Sequence, residues 1–177
     1  LLAAKRANID GGASPDAAAA AVVGIDRGAN TDWQDVIFRT AISQNHNLSW
    51  SMSNKGTSVR LSGSYDNQEG IIKNTGLERL TGRANIGQKL FNDKVKLEAN
   101  MTMSRTENSY APLSNNAGYQ GSLLGAALQF NPTNPIYNPD GTFYQPGDQR
   151  NPAQMLAYFS DNDFINRFLG NFSASYQ

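Results

Sequence analysis

The stretch RLSGSYDNQEGIIKN, residues 60–74, decides the fold, because its first half alternates strictly between two kinds of side chain. Leu61, Gly63 and Tyr65 form an apolar side, and Arg60, Ser62 and Ser64 form a polar one. A period of two is that of a β-strand, whose successive side chains point to opposite faces. The alternation gives way to a polar run at residues 66–69, so the sequence predicts a two-faced strand that stops at Tyr65.

The same alternation recurs in four other segments. Their apolar sides are Ile42, Leu48, Trp50 and Met52; Leu80, Gly82, Ala84, Ile86 and Leu90; Val95, Leu97, Ala99, Met101 and Met103; and Phe168, Gly170, Phe172, Ala174 and Tyr176. The sequence therefore predicts five antiparallel strands of roughly ten or more residues, which is long for a soluble protein. A tilted strand that crosses a membrane needs ~9–11 residues.

The predicted connections alternate in length. The sequences NKG at 54–56 and ND at 92–93 predict tight turns, whereas the links between the second and third strands and between the fourth and fifth are longer. Short periplasmic turns and long outer loops are typical of outer-membrane barrels. The predicted organisation is a helical extracellular loop at 1–39, four barrel strands at 40–105, a long extracellular loop with short helices at 106–163, and the start of a fifth strand at 164–177.

The predicted fold class is thus an all-β transmembrane antiparallel β-barrel. Five strands cannot close such a barrel, because an open edge in lipid leaves backbone groups without hydrogen bonds. We therefore expect the chain to be a fragment of a much larger protein. Its first residues, LLAAKRANID, lack the features of a signal peptide.

Composition excludes several classes of function. The chain of 177 residues has 15 basic and 15 acidic side chains, and this balance gives no footprint for nucleic acid. It has no cysteine and a single histidine, His46, so Cys-based zinc sites and thiol catalysis are excluded. No run approaches the ~20 apolar residues of a membrane-spanning helix. Carboxylates are scattered, and we expect no catalytic residue, cofactor or metal.

Two segments outside the strands carry helix signals. Ser14 is a candidate N-cap, followed by Pro15 at the first helical position and Gly24 as the stop. In TDWQDVIFRTA, residues 31–41, the apolar side chains of Trp33, Ile37 and Phe38 recur at helical spacing and predict one short turn.

The long loop holds the candidate contact residues. An internal helix is expected around Leu123 and Leu128, and NPTNPIYNPDG, residues 131–141, is rich in turn-forming residues. Aromatic side chains set among Asn and Gln suit sugar stacking or contact with a protein partner, although they could equally pack the loop onto itself. The candidates are Tyr110, Tyr137, Phe143 and Tyr144.

Three stretches carry a resemblance to a known family. They are TDWQDVIFRTAISQNHNLSWS at 31–51, VRLSGSYDNQEGIIKNTGLERLTGRANIGQKLFND at 59–93, and NPAQMLAYFSDNDFINRFLGNFSASYQ at 151–177. Together they resemble the early barrel of SusC/RagA-type TonB-linked outer-membrane transporters of Bacteroidetes. Residues 1–29 match no pattern of that family.

The resemblance implies a plugged 22-stranded barrel in the bacterial outer membrane. It implies active import of oligosaccharides or peptides, energised by TonB with ExbB and ExbD through regions that this chain lacks. It also implies a SusD-like surface lipoprotein as partner. The specific substrate is left open.

Strand residues have predicted roles in such a barrel. Arg60, Arg83 and Arg167 alternate away from the apolar side and are expected to face the lumen, where they either line the substrate path or fill the gap between wall and plug. Trp50, Tyr65 and Tyr176 are expected to anchor in the aromatic girdles, against outer-membrane lipid.

Two other functions fit parts of the pattern. A soluble or surface carbohydrate-binding β-sandwich also alternates apolar and polar residues, but strand length and the alternation of turn and loop argue against it. A secreted polysaccharide-degrading enzyme would need a pair of carboxylates at a defined separation, which a sequence does not show.

Overall fold

A computed structural model describes residues 11, 12, 14, 15, 17, 18, 25–113 and 122–176. The chain divides into two compact units. We call Arg39–Ala111 with Ser160–Gln177 the sheet unit, and Leu1–Phe38 with Pro112–Phe159 the loop unit. No helix in the described part of the chain is long and apolar enough to cross a membrane.

The sheet unit is one antiparallel sheet in which each strand pairs with the next along the chain. Its strands are β1 (Ser43–Asn54), β2 (Thr57–Glu69), β3 (Gly76–Leu90), β4 (Val95–Tyr110) and β5 (Asp161–Tyr176). The five predicted antiparallel strands are confirmed. At 12 to 16 residues, the strands exceed the length needed to cross a bilayer.

The strand register separates the two faces. Residues directly opposite each other in paired strands share a face, so each row of the sheet takes one residue from every strand. Three adjacent rows of one face are apolar or glycine throughout, and we call them the apolar block. Its rows are Met52, Val59, Ile86, Ala99 and Phe172; Trp50, Leu61, Ala84, Met101 and Gly170; and Leu48, Gly63, Gly82, Met103 and Phe168.

The matching rows of the other face are polar at all but one position, and we call this side the polar face. Its rows are Ser51, Arg60, Asn85, Asn100 and Asn171; Ser49, Ser62, Arg83, Thr102 and Leu169; and Asn47, Ser64, Thr81, Ser104 and Arg167. The sheet is therefore amphipathic over its whole width, as the alternation predicts.

The connections follow the predicted alternation of length. β1 and β2 are joined by Lys55 and Gly56, both with positive φ, as a two-residue hairpin turn requires. The turn between β3 and β4 takes four residues, 91–94, and so extends one residue beyond each side of the predicted turn at 92–93. The links between β2 and β3 and between β4 and β5 span 70–75 and 111–160.

Three strand ends differ from the prediction. β2 does not stop at Tyr65 but continues to Glu69, because the backbone of residues 66–69 stays paired with β1 and β3 whatever the polarity of the side chains. For the same reason β4 runs to residue 110 rather than 105, and β5 starts at residue 161 rather than 164.

The loop unit contains three short described helices. They are α1 (Trp33–Ile37), α2 (Leu123–Gln129) and α3 (Pro152–Tyr158), each with a side-chain N-cap. The caps are Asp32, Ser122 and Asn151. Both the predicted turn at 31–41 and the predicted helix within the long loop are confirmed.

The core of the loop unit forms around Trp33. Its ring meets that of Phe130 edge to face at a centroid distance of 4.7 Å, and its indole Nε1 donates to Asn131 O at 3.1 Å. Leu123 and Leu156 are buried in the same unit. At the predicted first helix, Ser14 Oγ accepts from the N–H of Ala17 at 3.2 Å, and the predicted stop at Gly24 lies outside the described residues.

Candidate functional site

An exposed aromatic cluster occupies the loop unit. The rings of Tyr137 and Phe143 lie 5.1 Å apart, and Phe143 meets Tyr158 edge to face at 5.6 Å. We call these three residues the aromatic cluster. The outer rings remain open to solvent, with Tyr137 53% and Tyr158 75% exposed. Ring faces open to water are what sugar rings and apolar protein side chains pack against.

A small hairpin holds two of the three rings. Tyr137 and Phe143 face each other across an isolated β-bridge, and Asn138 N donates to Thr142 O at 2.7 Å. Gly141, at φ 84°, closes the turn by donating its N–H to Asn138 O at 2.9 Å. The spacing of the two rings is therefore set by backbone hydrogen bonds.

Asp140 stabilises this turn through its carboxylate. Oδ1 accepts from the hydroxyl of Thr142 at 2.6 Å and from its backbone N–H at 2.9 Å. These hydrogen bonds hold the pKa of the Asp140 carboxyl below its usual value, because they stabilise the charged form. The turn thus favours an ionised Asp140.

Asn151 connects the hairpin to α3. Its side chain is fully buried, and Nδ2 donates to Ile136 O and to Tyr144 O, both at 2.9 Å. Oδ1 accepts from the backbone N–H of Ala153 at 2.9 Å as the N-cap of α3. Since Tyr158 ends α3, this asparagine helps to bring the third ring to the hairpin.

The structure brings together only part of the predicted contact set. Tyr137 and Phe143 join in the aromatic cluster, whereas Tyr144 is half-buried and takes part through its backbone. Tyr110 belongs to the end of β4 rather than to the loop, and its hydroxyl donates to Asp163 Oδ2 at 3.2 Å. Tyr158 was missed, although its position at the end of the helix that Asn151 and Pro152 start was a usable signal.

The predicted arginines share the polar face. Arg60, Arg83 and Arg167 lie in three successive rows, and all three are exposed. Arg83 borders a shallow cleft of about 200 Å³. The polar side chains around it are Asn47, Ser49, Ser62, Ser64 and Thr81. The cleft therefore offers hydroxyl and amide groups around one cation.

The predicted interface aromatics lie at three different heights on the apolar side. Tyr65 lies one row beyond the apolar block and stacks with His46 at a ring distance of 6.5 Å. Tyr176 lies at the opposite end of the sheet, beside Val95, and Trp50 lies in the middle row of the block. No group of three or more potential ligands within the described ranges could hold a metal ion.

Comparison with curated proteins finds TonB-dependent receptors. The chain is 31% identical over 173 residues to TonB-dependent receptor SusC of Bacteroides thetaiotaomicron, across 84% of the chain. It is 34% identical over 154 residues to TonB-dependent receptor P26 of Formosa agariphila, across 83% of the chain. No protein-family model matches. The chain spans 17% and 14% of the length of these two receptors.

The fold is also found in a solved structure. The RagAB peptide transporter superposes with a TM-score of 0.60 over 82% of this chain and 17% of the transporter chain, at 22% identity. At that identity the likeness concerns the fold alone. It agrees with an antiparallel sheet accompanied by few helices.

Proposed function

Because the chain is a relative, over one segment, of the SusC/RagA-type TonB-linked transporters, we propose that it forms part of the wall of an outer-membrane barrel. The barrel would serve TonB-dependent import of oligosaccharides or peptides. The description of RagAB as a peptide transporter keeps peptides beside oligosaccharides as candidate substrates. This chain would contribute wall, lumen polarity and an outer contact surface.

The apolar block is the observation that carries the proposal. It extends across all five strands, yet Leu48 is 80% and Phe172 70% exposed. A soluble sheet of this kind would bury such a face against a second layer, and a contiguous exposed apolar surface marks contact with a partner or a membrane. The polar face on the other side would then line the lumen.

The sheet edges support a closed barrel. β1 and β5 each pair on one side only within the described sheet. In lipid, unpaired backbone N–H and C=O groups cost several kcal/mol each. We therefore infer that further strands continue the sheet at both edges until the barrel closes, with 22 strands as the resemblance implies.

The aromatic side chains fit this orientation with one revision. Tyr65 and Tyr176 lie beyond opposite ends of the apolar block, which supports their proposed role as interface anchors. Trp50 in the middle row would lie within the hydrocarbon region instead. An outward Tyr65 also fits its partner His46, a residue that prefers the polar boundary.

The aromatic cluster is proposed as the outer contact surface. Its two exposed tyrosines would bind substrate or the SusD-like surface lipoprotein, with Tyr110 and Tyr144 as further candidates. The alternative function is that of a soluble or surface carbohydrate-binding β-sandwich, a lectin in which the exposed rings would stack on sugars. Energy from TonB, ExbB and ExbD would enter through parts of the transporter outside this chain.

Uptake measurements test the proposal. Cells that produce the full-length protein should accumulate labelled oligosaccharides or oligopeptides from a set that includes neutral and acidic members, and deletion of tonB should abolish the accumulation. The protein should fractionate with the outer membrane. Recovery of the full-length protein in the soluble fraction without detergent would contradict the barrel and favour the lectin. Product release that depends on one Asp or Glu would instead favour the enzyme.

A further inference from the structure

Four arginines form a regular ladder on the polar face. Arg60, Arg83 and Arg167 occupy successive rows, and Arg79 occupies the next, opposite Thr106. Each row thus holds one arginine, and rows are two residues apart along every strand. Since a strand rises ~3.3 Å per residue, the four levels lie about 6.7 Å apart and cover about 20 Å along the strands. Arg60 lies on β2, Arg79 and Arg83 lie on β3, and Arg167 lies on β5, which is two strands or about 10 Å to the side of β3. We call these four residues the arginine ladder.

The ladder carries positive charge with little compensation. Among the described residues, the side chains of Arg60, Arg83 and Arg167 make no hydrogen bond or ion pair. Within the described part of the chain, the Arg79 side chain donates only to the neutral hydroxyl of Thr106, from Nε at 3.2 Å. The single carboxylate in the four rows is that of Asp66, which lies directly opposite Arg79 and accepts from the Asn45 amide.

Guanidinium groups are suited to one kind of ligand. Each presents a planar fork of N–H donors that matches the two oxygens of a carboxylate. The arginines stand among Ser, Thr and Asn side chains, as in the cleft beside Arg83, and these groups can bind hydroxyls and amides. A chain of polar units that bears carboxylates would therefore find partners at every level.

The face is poorly suited to a dry protein interface. The buried centre of such an interface is mainly apolar, enriched in aromatic residues and depleted of charge. The rows of the ladder contain two apolar side chains, Leu169 and Ile165, and no aromatic ring. This composition fits a hydrated surface, along a solute path or in the gap between wall and plug, rather than a dry partner surface.

We infer that the arginine ladder guides a carboxylate-bearing solute along the strand axis, which makes the imported substrate anionic. The inference rests on the proposed function, because it requires the polar face to line the lumen. Either an acidic peptide or an oligosaccharide of uronic acids would supply the carboxylates. Because the four guanidinium groups are spread along and across the strands, a flexible chain with several carboxylates can bind more than one of them at a time.

Binding to the purified full-length protein in detergent tests the inference without requiring transport. The probes are fluorescein-labelled hexaglutamate against hexaglutamine, and tetragalacturonate against maltotetraose. We expect an acidic probe to bind roughly tenfold more tightly than its neutral counterpart, with the preference falling as salt rises. The pair in which the preference appears identifies the peptide or the sugar as the source.

Variants assign the preference to the ladder. The triple variant Arg60→Gln, Arg83→Gln, Arg167→Gln should lose the acidic preference, whereas the matched Lys variants, which keep the charge but not the planar fork, should keep part of it. Arg105→Gln removes the same charge from the opposite side of the sheet and should leave it intact. If the triple variant does not reach the membrane, the three single Gln variants should each weaken acidic binding by about twofold to threefold.

The outcomes separate the inference from the proposed function. Equal binding of acidic and neutral probes, or a preference that survives the Gln variants, would contradict the inferred role of the arginine ladder. Neither result would affect the proposal of TonB-dependent uptake. A preference that Arg105→Gln removes equally would also overturn it. Loss of outer-membrane fractionation and of TonB-dependent uptake would instead refute the proposed function.

Discussion

Phe143 and Tyr158 meet edge to face, 5.6 Å apart, although one lies in a hairpin and the other ends a helix. The contact joins the two elements of the aromatic cluster, and it leaves the outer face of Tyr158 open to solvent. All three residues of the aromatic cluster belong to the loop unit, so substitution of one ring tests the contribution of that ring to binding.

Tyr158→Ala should weaken binding of the substrate or lipoprotein to the aromatic cluster by about tenfold. Exposed aromatic anchors contribute more than 1 kcal/mol to binding when they form hot spots. The free energy of unfolding should change by only about 0.5 kcal/mol, because the Tyr158 ring is largely exposed. Co-purification of the proposed lipoprotein partner and uptake of the substrate measure the effect. Leu128→Ala, which truncates another exposed side chain of the loop unit, is the control and should change neither.

Asn151→Ala should destabilise the loop unit by roughly 2–4 kcal/mol, because it leaves buried carbonyls and the start of α3 without partners. Faster limited proteolysis within 122–159 in the full-length protein would report the loss. The exposed Asn162, whose Nδ2 donates only to Ser160 Oγ at 3.3 Å, provides the matched Asn→Ala control. Equal protease resistance of both variants would contradict the role assigned to Asn151.

Gly70→Ala should disturb the loop between β2 and β3 at a cost of about 1–3 kcal/mol. A Cβ at this position would overlap Thr75 Oγ1, whose hydroxyl donates to Ile72 O at 2.7 Å, and Arg39 Nε donates to Gly70 O at 3.0 Å. Gly82→Ala is the control, because its Cβ would meet no atom of the described residues within 4 Å. Thermal unfolding of the two variants in detergent should differ by several degrees, and identical midpoints would speak against this steric account.

The two faces of the sheet can be distinguished by one charge. Leu61→Arg places a cation in the middle row of the apolar block and should cost about 2–4 kcal/mol if that row faces lipid. Ser62→Arg places the same cation on the polar face, beside Arg83, and should be tolerated. The folded, heat-modifiable band of outer-membrane protein on gels measures assembly. Equal assembly of the two variants would refute the assigned orientation.

Acid should loosen the hairpin of the aromatic cluster. The pKa of Asp140 is lowered in the folded state, so its stabilising contribution is present above the ordinary Asp value of about 3.9 and is lost as pH falls through the lowered pKa. Hydrogen exchange of residues 136–145, corrected for intrinsic rates, should rise in that range. Asp140→Asn should remove the pH dependence, because an amide does not titrate there.

Side-chain alternation predicted the sheet but not the strand ends. Leu61 and Tyr65 could be assigned to one face because the period of two has a direct geometric cause. The continuation of β2 through residues 66–69 could not be predicted. Backbone pairing depends on the neighbouring strands, and the polar side chains of these residues give no sign of it. Polar residues that look like a loop remain a strand when both neighbours offer hydrogen-bond partners.

The candidate site was predictable to the extent that it is local. Tyr137 and Phe143 are close in sequence and joined by turn-forming residues, so their pairing follows from the hairpin. Tyr158 reaches them through α3 and the buried Asn151, which is tertiary packing. The spacing of the four ladder arginines likewise required the register, since Arg167 is far from the others in sequence.

The extension of β2 beyond Tyr65 affects how far the barrel wall would reach above the membrane surface. If Tyr65 marks the headgroup boundary, residues 66–69 carry the sheet about 13 Å further, and polar side chains there occupy both faces. The wall of the barrel would then extend beyond the bilayer as a hydrated rim. A solute would meet this raised rim, and the arginine of its upper level, Arg79, before it descended to the depth of the lipid.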